Sequence, residues 1–365
     1  MAEKNPFEID FEEYIRHIDS SKKEKTFAWS TAIGLQQVDG LKPSSYLYET
    51  AKRNIEGELS FDDAKNLIDS YYESRTVRTE DEDKRTEEAD KVSTRIAQIL
   101  SEPSFNFSPS HLIAIHKRLF EGIFKFAGKI RDYDITKKEW ALNGDTVMYG
   151  ASFELKSALD YDFEQERAFN YKGLSNDQIV KHITFFVSRL WQIHAFGEGN
   201  TRTTAVFTIK YLRSLGYKAD NDIFAENSWY FRNTLVRANY SNLQNGIQEN
   251  SEFLELFFRN LILGENNELK NRYTHVDYDS FARKFGDNSE ISEKKFGDNE
   301  KGSEKTSEII LSMLKENPKL SAKKLSEQIG ITSRAVEKQL ATLVEKGLLK
   351  RVGSPKGGHW EILNQ

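Results

Sequence analysis

The sequence predicts a mainly α-helical protein, with one β-hairpin set into a helical core and a winged helix at the C-terminal end. Three observations lead there. Apolar residues recur at intervals of three and four through most of the chain, as in "KHITFFVSRLWQIHAF", where Ile183, Phe186, Val187, Leu190 and Ile193 share a helical face. One stretch, "RDYDITKKEWALNGDTVMYG", breaks that rhythm around Asn143-Gly144-Asp145 and reads as a β-hairpin. The last sixty or so residues follow a helix, helix, helix, hairpin order.

Bulk properties narrow the function classes. The 365 residues predict two or three domains, and 24 Phe with 15 Tyr supply a sizeable core. A net charge of −5 argues against a chain that coats nucleic acid along its whole length, while leaving room for one basic module. There are no cysteines, which excludes disulfides, thiolate metal sites and a cysteine nucleophile and fits a cytoplasmic location. The opening "MAEKNPFEIDFEEYIRHIDSSKKEK" is charged and lacks the apolar core of roughly 7–15 residues that an export signal needs. No run of about 18 apolar residues occurs, so no membrane partner is expected.

The elements follow in order. "HLIAIHKRLFEGIF" and "SEFLELFFRNLIL" carry the same helical spacing as the segment above. From residue 281 the composition turns polar: "KFGDNSEISEK" is followed by "KFGDNEKGSEK", a charged, Gly-bearing near-repeat that reads as a linker over 281–302. Then "TSEIILSMLKEN" predicts a helix ending before Pro318, and "SAKKLSEQIG" a short one opened by a Ser cap and closed by Gly330. "ITSRAVEKQLATLVEKG" predicts a longer helix with Val336, Leu340, Leu343 and Val344 on one face. "LLKRVGSPKGGHWEIL" predicts two strands around a turn. Residues 303–365 hold 11 Lys and Arg against 7 Asp and Glu, a net of +4 that leaves −9 for the remainder.

The chemistry concentrates in "HAFGEGNTR", just before a helix. A helix N-terminus offers free backbone N–H groups to a phosphate. Gly197 and Gly199 allow a tight turn and a close approach of phosphate to backbone. Asn200 adds an amide and Arg202 a guanidinium. Glu198 is a hard oxygen ligand suited to Mg²⁺. His194 titrates near neutrality and suits a general base acting on a hydroxyl. Base, metal ligand, anion hole and cation together form the set needed for in-line attack on phosphorus.

This stretch resembles the Fic motif, H-P-F-x-[DE]-G-N-G-R-x-x-R, and the preceding helix, the hairpin and "IHKRLFEGIFKFAGKIRDYDI" are similar to the Fic core over about 105–263. The resemblance implies transfer of AMP from ATP, with Mg²⁺, to a Ser, Thr or Tyr hydroxyl of a target protein or of the chain itself. It implies His194 as the catalytic base, Phe196 as the loop's anchor and Glu198 as the metal ligand. Gly197, Gly199 and Asn200 would hold the α-phosphate and Arg202 the β-phosphate, while the hairpin would act as a flap that docks the target as an added strand. Three positions depart from the motif: Ala195 for Pro, Thr201 for Gly and Ala205 for the second Arg. The last should weaken triphosphate binding by roughly 1.5–3 kcal/mol, the scale of a charge-assisted hydrogen bond. A weakly catalytic regulator acting through its winged helix, and a phosphotransferase with reversed nucleotide, are the alternative readings.

Residues 30–75, "STAIGLQQVDGLKPSSYLYETAKRNIEGELSFDDAKNLIDSYYESR", resemble the helical antitoxin modules that accompany Fic toxins. Their inhibitory pattern, [ST]-x-x-x-E-[GN], aligns with Leu35-Gln36-Gln37-Val38-Asp39-Gly40. Asp39 would be the inhibitory residue, one methylene short, and the Arg it should grip is Ala205. The expectation is a weak or absent lock. A formal match at Ser312 to Asn317 reads as coincidence. The resulting domain plan is an N-terminal extension over 1–25, an antitoxin-like segment over 26–80, a Fic domain over 81–280, the linker, and the winged helix over 303–365. In that last module Arg334, Lys338, Lys350 and Arg351 are the candidate DNA contacts, with protein docking as the alternative. A homodimer is expected by analogy with Fic relatives. The remaining histidines, His116 among them, show no metal-ligand spacing and read as incidental.

Overall fold

The computed structural model describes residues 20–74, 81–219, 222–278, 310–311, 313–315, 317–329, 333–345, 348–352 and 359–363. They fall into two compact units, one built from residues up to Lys137 with Thr146–Leu269, the other from Lys138–Asp145 with residues 270 onward. The predicted linker lies outside the described residues.

The first unit is helical. Helix α1 (Ser20–Gly34) runs into a 3-10 turn, Leu35–Asp39, which Gly40 closes in the left-handed region. Helix α2 (Ser45–Glu56) is capped by Ser44, whose hydroxyl accepts from the Leu47 N–H, and ends at Gly57 with φ of 87°. Helix α3 (Phe61–Glu73) opens with a reciprocal capping box between Ser60 and Asp63, the physical content of "GELSFDDA". Helices α4 (Asp81–Ser101) and α5 (Pro109–Phe120) follow, the second capped by Ser108 with Pro109 in its first turn. Then come α6 (Leu155–Ala168), α7 (Asn176–Ile193) behind a Ser175–Gln178 capping box, and α8 (Asn200–Ser214). Helices α9 (Ile223–Ala238) and α10 (Glu252–Phe258), the latter continued by a π turn over Arg259–Leu263, complete the unit.

Helix α8 is the axis of this unit. Its first thirteen residues are all buried, polar ones included. Phe105, Phe107, Phe163, Phe186, Phe207 and Tyr211 pack ring to ring on its later turns. A second aromatic cluster, Phe224, Phe231, Phe257 and Phe258, joins α9 to α10. Helix α1 packs on both α4 and α9. Gly34 makes the second contact possible: a Cβ there would lie 2.3 Å from the Ala225 carbonyl oxygen.

The flap departs from expectation. Its legs are extended but form no β ladder; Lys137 N–H donates to the Thr146 hydroxyl (3.2 Å) where a ladder would place a carbonyl. The tip, in the other unit, curls into a 3-10 turn over Trp140–Leu142 that Asn143 ends in the left-handed region (φ of 55°). Glu139 and Asp145 close this loop with a backbone hydrogen bond of 2.9 Å. Asn143-Gly144 therefore terminates a helical turn instead of making a two-residue hairpin, and the longer connection keeps the legs from zipping.

The second unit holds a short helix α11 (Asn271–Thr274) and the C-terminal module. Helical residues 310–311 and 313–315, α12 (Ala322–Ile329) and α13 (Ser333–Glu345) precede strands β1 (Leu349–Val352) and β2 (His359–Ile362). The strands are antiparallel, with Lys350 opposite Glu361 and Arg351 opposite Trp360. Ile310, Met313, Leu314, Leu325, Val336, Leu340, Leu343 and Leu349 form its core. Val344, expected on that face, is 45% exposed. No described helix is long and apolar enough to cross a membrane.

Candidate active site

Helix α7 ends at His194, which adopts φ of 50°. Among the described residues only Asn143 and His194 hold a positive φ without being glycine, and such strain persists where the surroundings enforce it. His194 is buried against the rings of Tyr149 and Trp191. Its Nδ1 faces the Trp191 carbonyl at 3.3 Å; because a carbonyl only accepts, that nitrogen carries the proton and Nε2 keeps its lone pair. Nε2 is buried with no hydrogen-bond partner among the described residues. Burial, reinforced by the charges of Lys137, Arg232 and Arg131, holds this imidazole well below its ordinary pKa.

The loop after His194 is fixed from within. The Asn200 amide donates to the Phe196 carbonyl (2.7 Å) and its oxygen accepts from the Phe196 N–H (3.0 Å). At Gly197 a Cβ would sit 2.6 Å from the Tyr133 hydroxyl, so a side chain there would have to push that ring aside. Gly199, at φ of 77°, would drive a Cβ to 2.3 Å from the Phe120 ring. Gly199 is also the N-cap of α8 and brings no side chain to close it, so the helix opens with backbone N–H groups and a positive dipole end. Thr201, which replaces a motif glycine, accepts the buried Trp191 indole N–H at 3.0 Å.

Two residues that sequence reasoning missed position the loop. Arg131 donates to the carbonyls of His194 (2.8 Å), Tyr133 (2.6 Å), Gly150 (2.5 Å) and Ile193 (3.4 Å), and its own N–H reaches the Ala195 carbonyl. His116, read from sequence as incidental, stacks on Phe196 with ring centroids 3.7 Å apart. The Gly128 N–H donates to its Nδ1, so its Nε2–H donates to the Glu198 carbonyl at 3.0 Å. Burial pushes His116 down to about 4 and keeps it neutral in that role. Neither residue has a spacing signal; each acts through partners distant in sequence.

Glu198 points outward with its side chain 55% exposed and pairs with Lys137 at 2.7 Å. Among the described residues no group of three or more His, Cys, Asp or Glu side chains converges on a metal position. A single outward carboxylate matches a Mg²⁺ held by one protein ligand plus substrate phosphates.

Arg202 is only 2% exposed at its side chain and every nitrogen is engaged. Nη1 donates to Gln36 Oε1 (3.0 Å), Nη2 to Glu88 Oε1 (2.6 Å), and Nε lies 2.9 Å from Asp39 Oδ2, an ion pair without hydrogen-bond alignment. The guanidinium also faces the Phe120 ring at 4.8 Å. The sequence expectation paired Asp39 with position 205, but Ala205 is fully buried and Asp39 meets Arg202 instead. Residues three apart on a helix share a face, so a carboxylate aimed at 205 also reaches 202. Arg85 holds this turn through the Asp39 and Gly40 carbonyls, and Arg232 holds it through the Val38 carbonyl.

In the C-terminal module Arg334 and Lys338 belong to α13, but their side chains lie outside the described residues, as do Ser312, Glu316 and Lys356. Lys350 and Arg351 are exposed on β1, and the Arg351 guanidinium stacks on Trp360 at 4.8 Å.

Residues 106–212 match the Fic/DOC family model, and residues 304–350 match a winged helix-turn-helix DNA-binding model. The chain is 29% identical over 120 residues to Protein adenylyltransferase VbhT of Bartonella schoenbuchensis. It is 27% identical over 121 residues to Probable protein adenylyltransferase Fic of Salmonella typhimurium, and 27% over 130 residues to Probable protein adenylyltransferase y4lH of Sinorhizobium fredii. These alignments take in 33%, 33% and 35% of this chain and 24%, 56% and 62% of the relatives' lengths. A solved Fic family protein from Desulfovibrio desulfuricans aligns over 98% of this chain and 92% of its own, at a TM-score of 0.42 and 11% identity. Residues 106–212 therefore form a Fic/DOC family domain, with a winged helix-turn-helix module following in the same polypeptide.

Proposed function

We propose that the Fic domain transfers AMP from ATP to a Ser, Thr or Tyr hydroxyl of a target protein or of the chain itself. The observation that carries this reading is the buried His194, whose Nδ1 faces the Trp191 carbonyl and leaves Nε2 without a partner among the described residues, in the loop that leads into the uncapped N-terminus of α8. In the reaction the hydroxyl oxygen bonds to the α-phosphorus, its proton passes to Nε2, and the bond to the β-phosphate oxygen breaks to release pyrophosphate. The backbone N–H groups of Gly197, Gly199 and Asn200 receive the α-phosphate oxygens, while the Asn200 side chain keeps the loop in shape. Glu198 would hold Mg²⁺, which neutralises charge on the phosphates when bound. Arg202 takes the β-phosphate once Asp39 withdraws. The three relatives with adenylyltransferase in their names support this reading.

The test is to incubate the protein with Mg²⁺ and ATP labelled at the α- or the γ-phosphate, beside a His194→Ala control. Label from the α position, lost in the control, is the expected result. γ-Label would replace AMP transfer by phosphorylation, and no label in any arm would favour a regulatory role. For the C-terminal module we propose DNA contact through Lys350, Arg351, Arg334 and Lys338, on the strength of the family model's description and the two exposed wing cations. Binding to duplex DNA that weakens steeply with salt supports it; salt-insensitive binding would instead indicate an apolar protein-docking face.

A further inference from the structure

We propose that the Lys137 ammonium is a placeholder for the divalent ion: it sits on Glu198 until Mg²⁺ and nucleotide arrive together, then swings off the carboxylate into solvent, and so sets how strongly metal and nucleotide binding are coupled. The inference rests on the reading of Glu198 as the metal ligand, and adds to the site a residue of the flap that the motif does not contain.

The pair joins two backbones that are each held in place. Lys137 Nζ lies 2.7 Å from Glu198 Oε2, across 61 residues of sequence. On one side the Lys137 N–H donates to the Thr146 hydroxyl, which ties this leg of the flap to the other. On the other side His116 holds the Glu198 carbonyl, and Asn200 clasps Phe196. The lysine is the more enclosed partner, with its side chain 22% exposed against 55% for Glu198. Its stem is packed and its charged tip alone reaches out to the carboxylate. The Lys137 charge also depresses the His194 pKa more than that of Arg232 or Arg131 does, which sets the ammonium near the base as well as near Glu198.

Mg²⁺ and an ammonium sharing one carboxylate repel each other at contact range, so one cation must leave. Lys137 is suited to be that one. Its ammonium is a point charge on a flexible stem and makes no bidentate fork with the carboxylate, whereas Mg²⁺ brings phosphate oxygens as further ligands. Glu198 with Lys137 is a neutral pair; Glu198 alone would turn phosphates away. The placeholder therefore keeps the carboxylate from opposing the nucleotide, and yields it to a metal–nucleotide complex.

The test uses the full chain and α,β-methylene-ATP, which binds without transferring AMP, titrated by calorimetry in Mg²⁺ and again in EDTA. Lys137→Met should bind the analogue roughly two- to fivefold more tightly in Mg²⁺, the scale of an exposed ion pair, and no more tightly in EDTA. Lys137→Arg, which keeps the charge and adds a fork, should show no gain. In a Glu198→Gln background, adding Lys137→Met should change nothing. A second readout follows the amine in the parent protein. Reductive methylation of Lys137, scaled to the 62% exposed Lys117 and read by mass spectrometry, should speed up when Mg²⁺ and the analogue are both present. Thermal melts identify a variant that fails to fold, and Lys137→Gln then stands in for the methionine. Equal or looser binding of the analogue by Lys137→Met in Mg²⁺ would overturn the assignment. So would an equal gain in EDTA, a gain that survives Glu198→Gln, or a Lys137 amine that stays protected. An affinity that ignores Mg²⁺ in the parent would sink the placeholder and the metal ligand together. The expected binding pattern without α-label on protein would keep the placeholder and sink AMP transfer; α-label without the pattern would do the reverse.

Discussion

Replacing Gly34 by Ala tests how tightly the N-terminal segment is pressed onto the Fic domain. Gly34 has φ of −61°, so its own backbone welcomes an alanine, and the substitution alone should gain roughly 0.5–1 kcal/mol in a helix. The surroundings do not. The new Cβ would lie 2.3 Å from the oxygen, 2.5 Å from the Cα and 2.7 Å from the carbonyl carbon of Ala225, all backbone atoms of α9 that cannot rotate aside. Ordinary contact requires α1 to withdraw by roughly 1 Å. That movement pulls on the Ser228 hydroxyl's bond to the Gly34 carbonyl (2.7 Å) and on the 2.9 Å approach of Asp39 to Arg202. Overpacking of this kind costs roughly 1–3 kcal/mol, so after the helical gain the net loss is up to about 2 kcal/mol. For a unit of this size that lowers Tm by about 2–4 °C per kcal/mol. Differential scanning calorimetry reads the melt, and transfer of α-label from ATP reads the site, which should become more active as Arg202 is released. A variant that melts at or above the parent temperature with unchanged labelling would refute the steric reasoning.

Four further outcomes are expected. Gly199→Ala, which combines positive φ with a clash against Phe120, should cost more stability than Gly57→Ala, where the same conformation meets open space; urea melts of both give the difference. Thr201→Val strands the buried Trp191 indole N–H and should destabilise by about 1–3 kcal/mol, while Thr201→Ser stays near the parent. Labelling should persist as pH falls to the ordinary histidine value of 6.5, because burial favours neutral His194, and should be lost only below it. Lys137→Met removes a charge that lowers this pKa, so the acid limb should move up.

The parts readable from sequence were those set by fixed spacing. The loop from His194 to Arg202 needs its residues at consecutive positions, and the winged helix needs its apolar stripe and turn. What sequence could not give were partners brought together by tertiary packing. Gln36 and Glu88 on Arg202, Arg131 on the His194 carbonyl, and His116 beneath Phe196 are linked across 63 to 166 residues. Nothing in their local sequence marks them. The flap differs from the sequence expectation because Asn143-Gly144 serves equally to close a 3-10 turn, as it does over Trp140–Leu142, and a two-residue hairpin. A motif spacing that points Asp39 at position 205 leaves out position 202, one turn earlier on the same face of α8, where its partner stands.

Gly34, Asp39 and Arg202 belong to one polypeptide, so if the contact of Asp39 with Arg202 restrains the site, restraint and site are made in equal number. A restraint supplied by a separate protein is lost on dilution, whereas a tethered one keeps an effective concentration that is independent of how much protein the cell makes. Relief of such a contact would then call for competition by a ligand or a local rearrangement of the first helices.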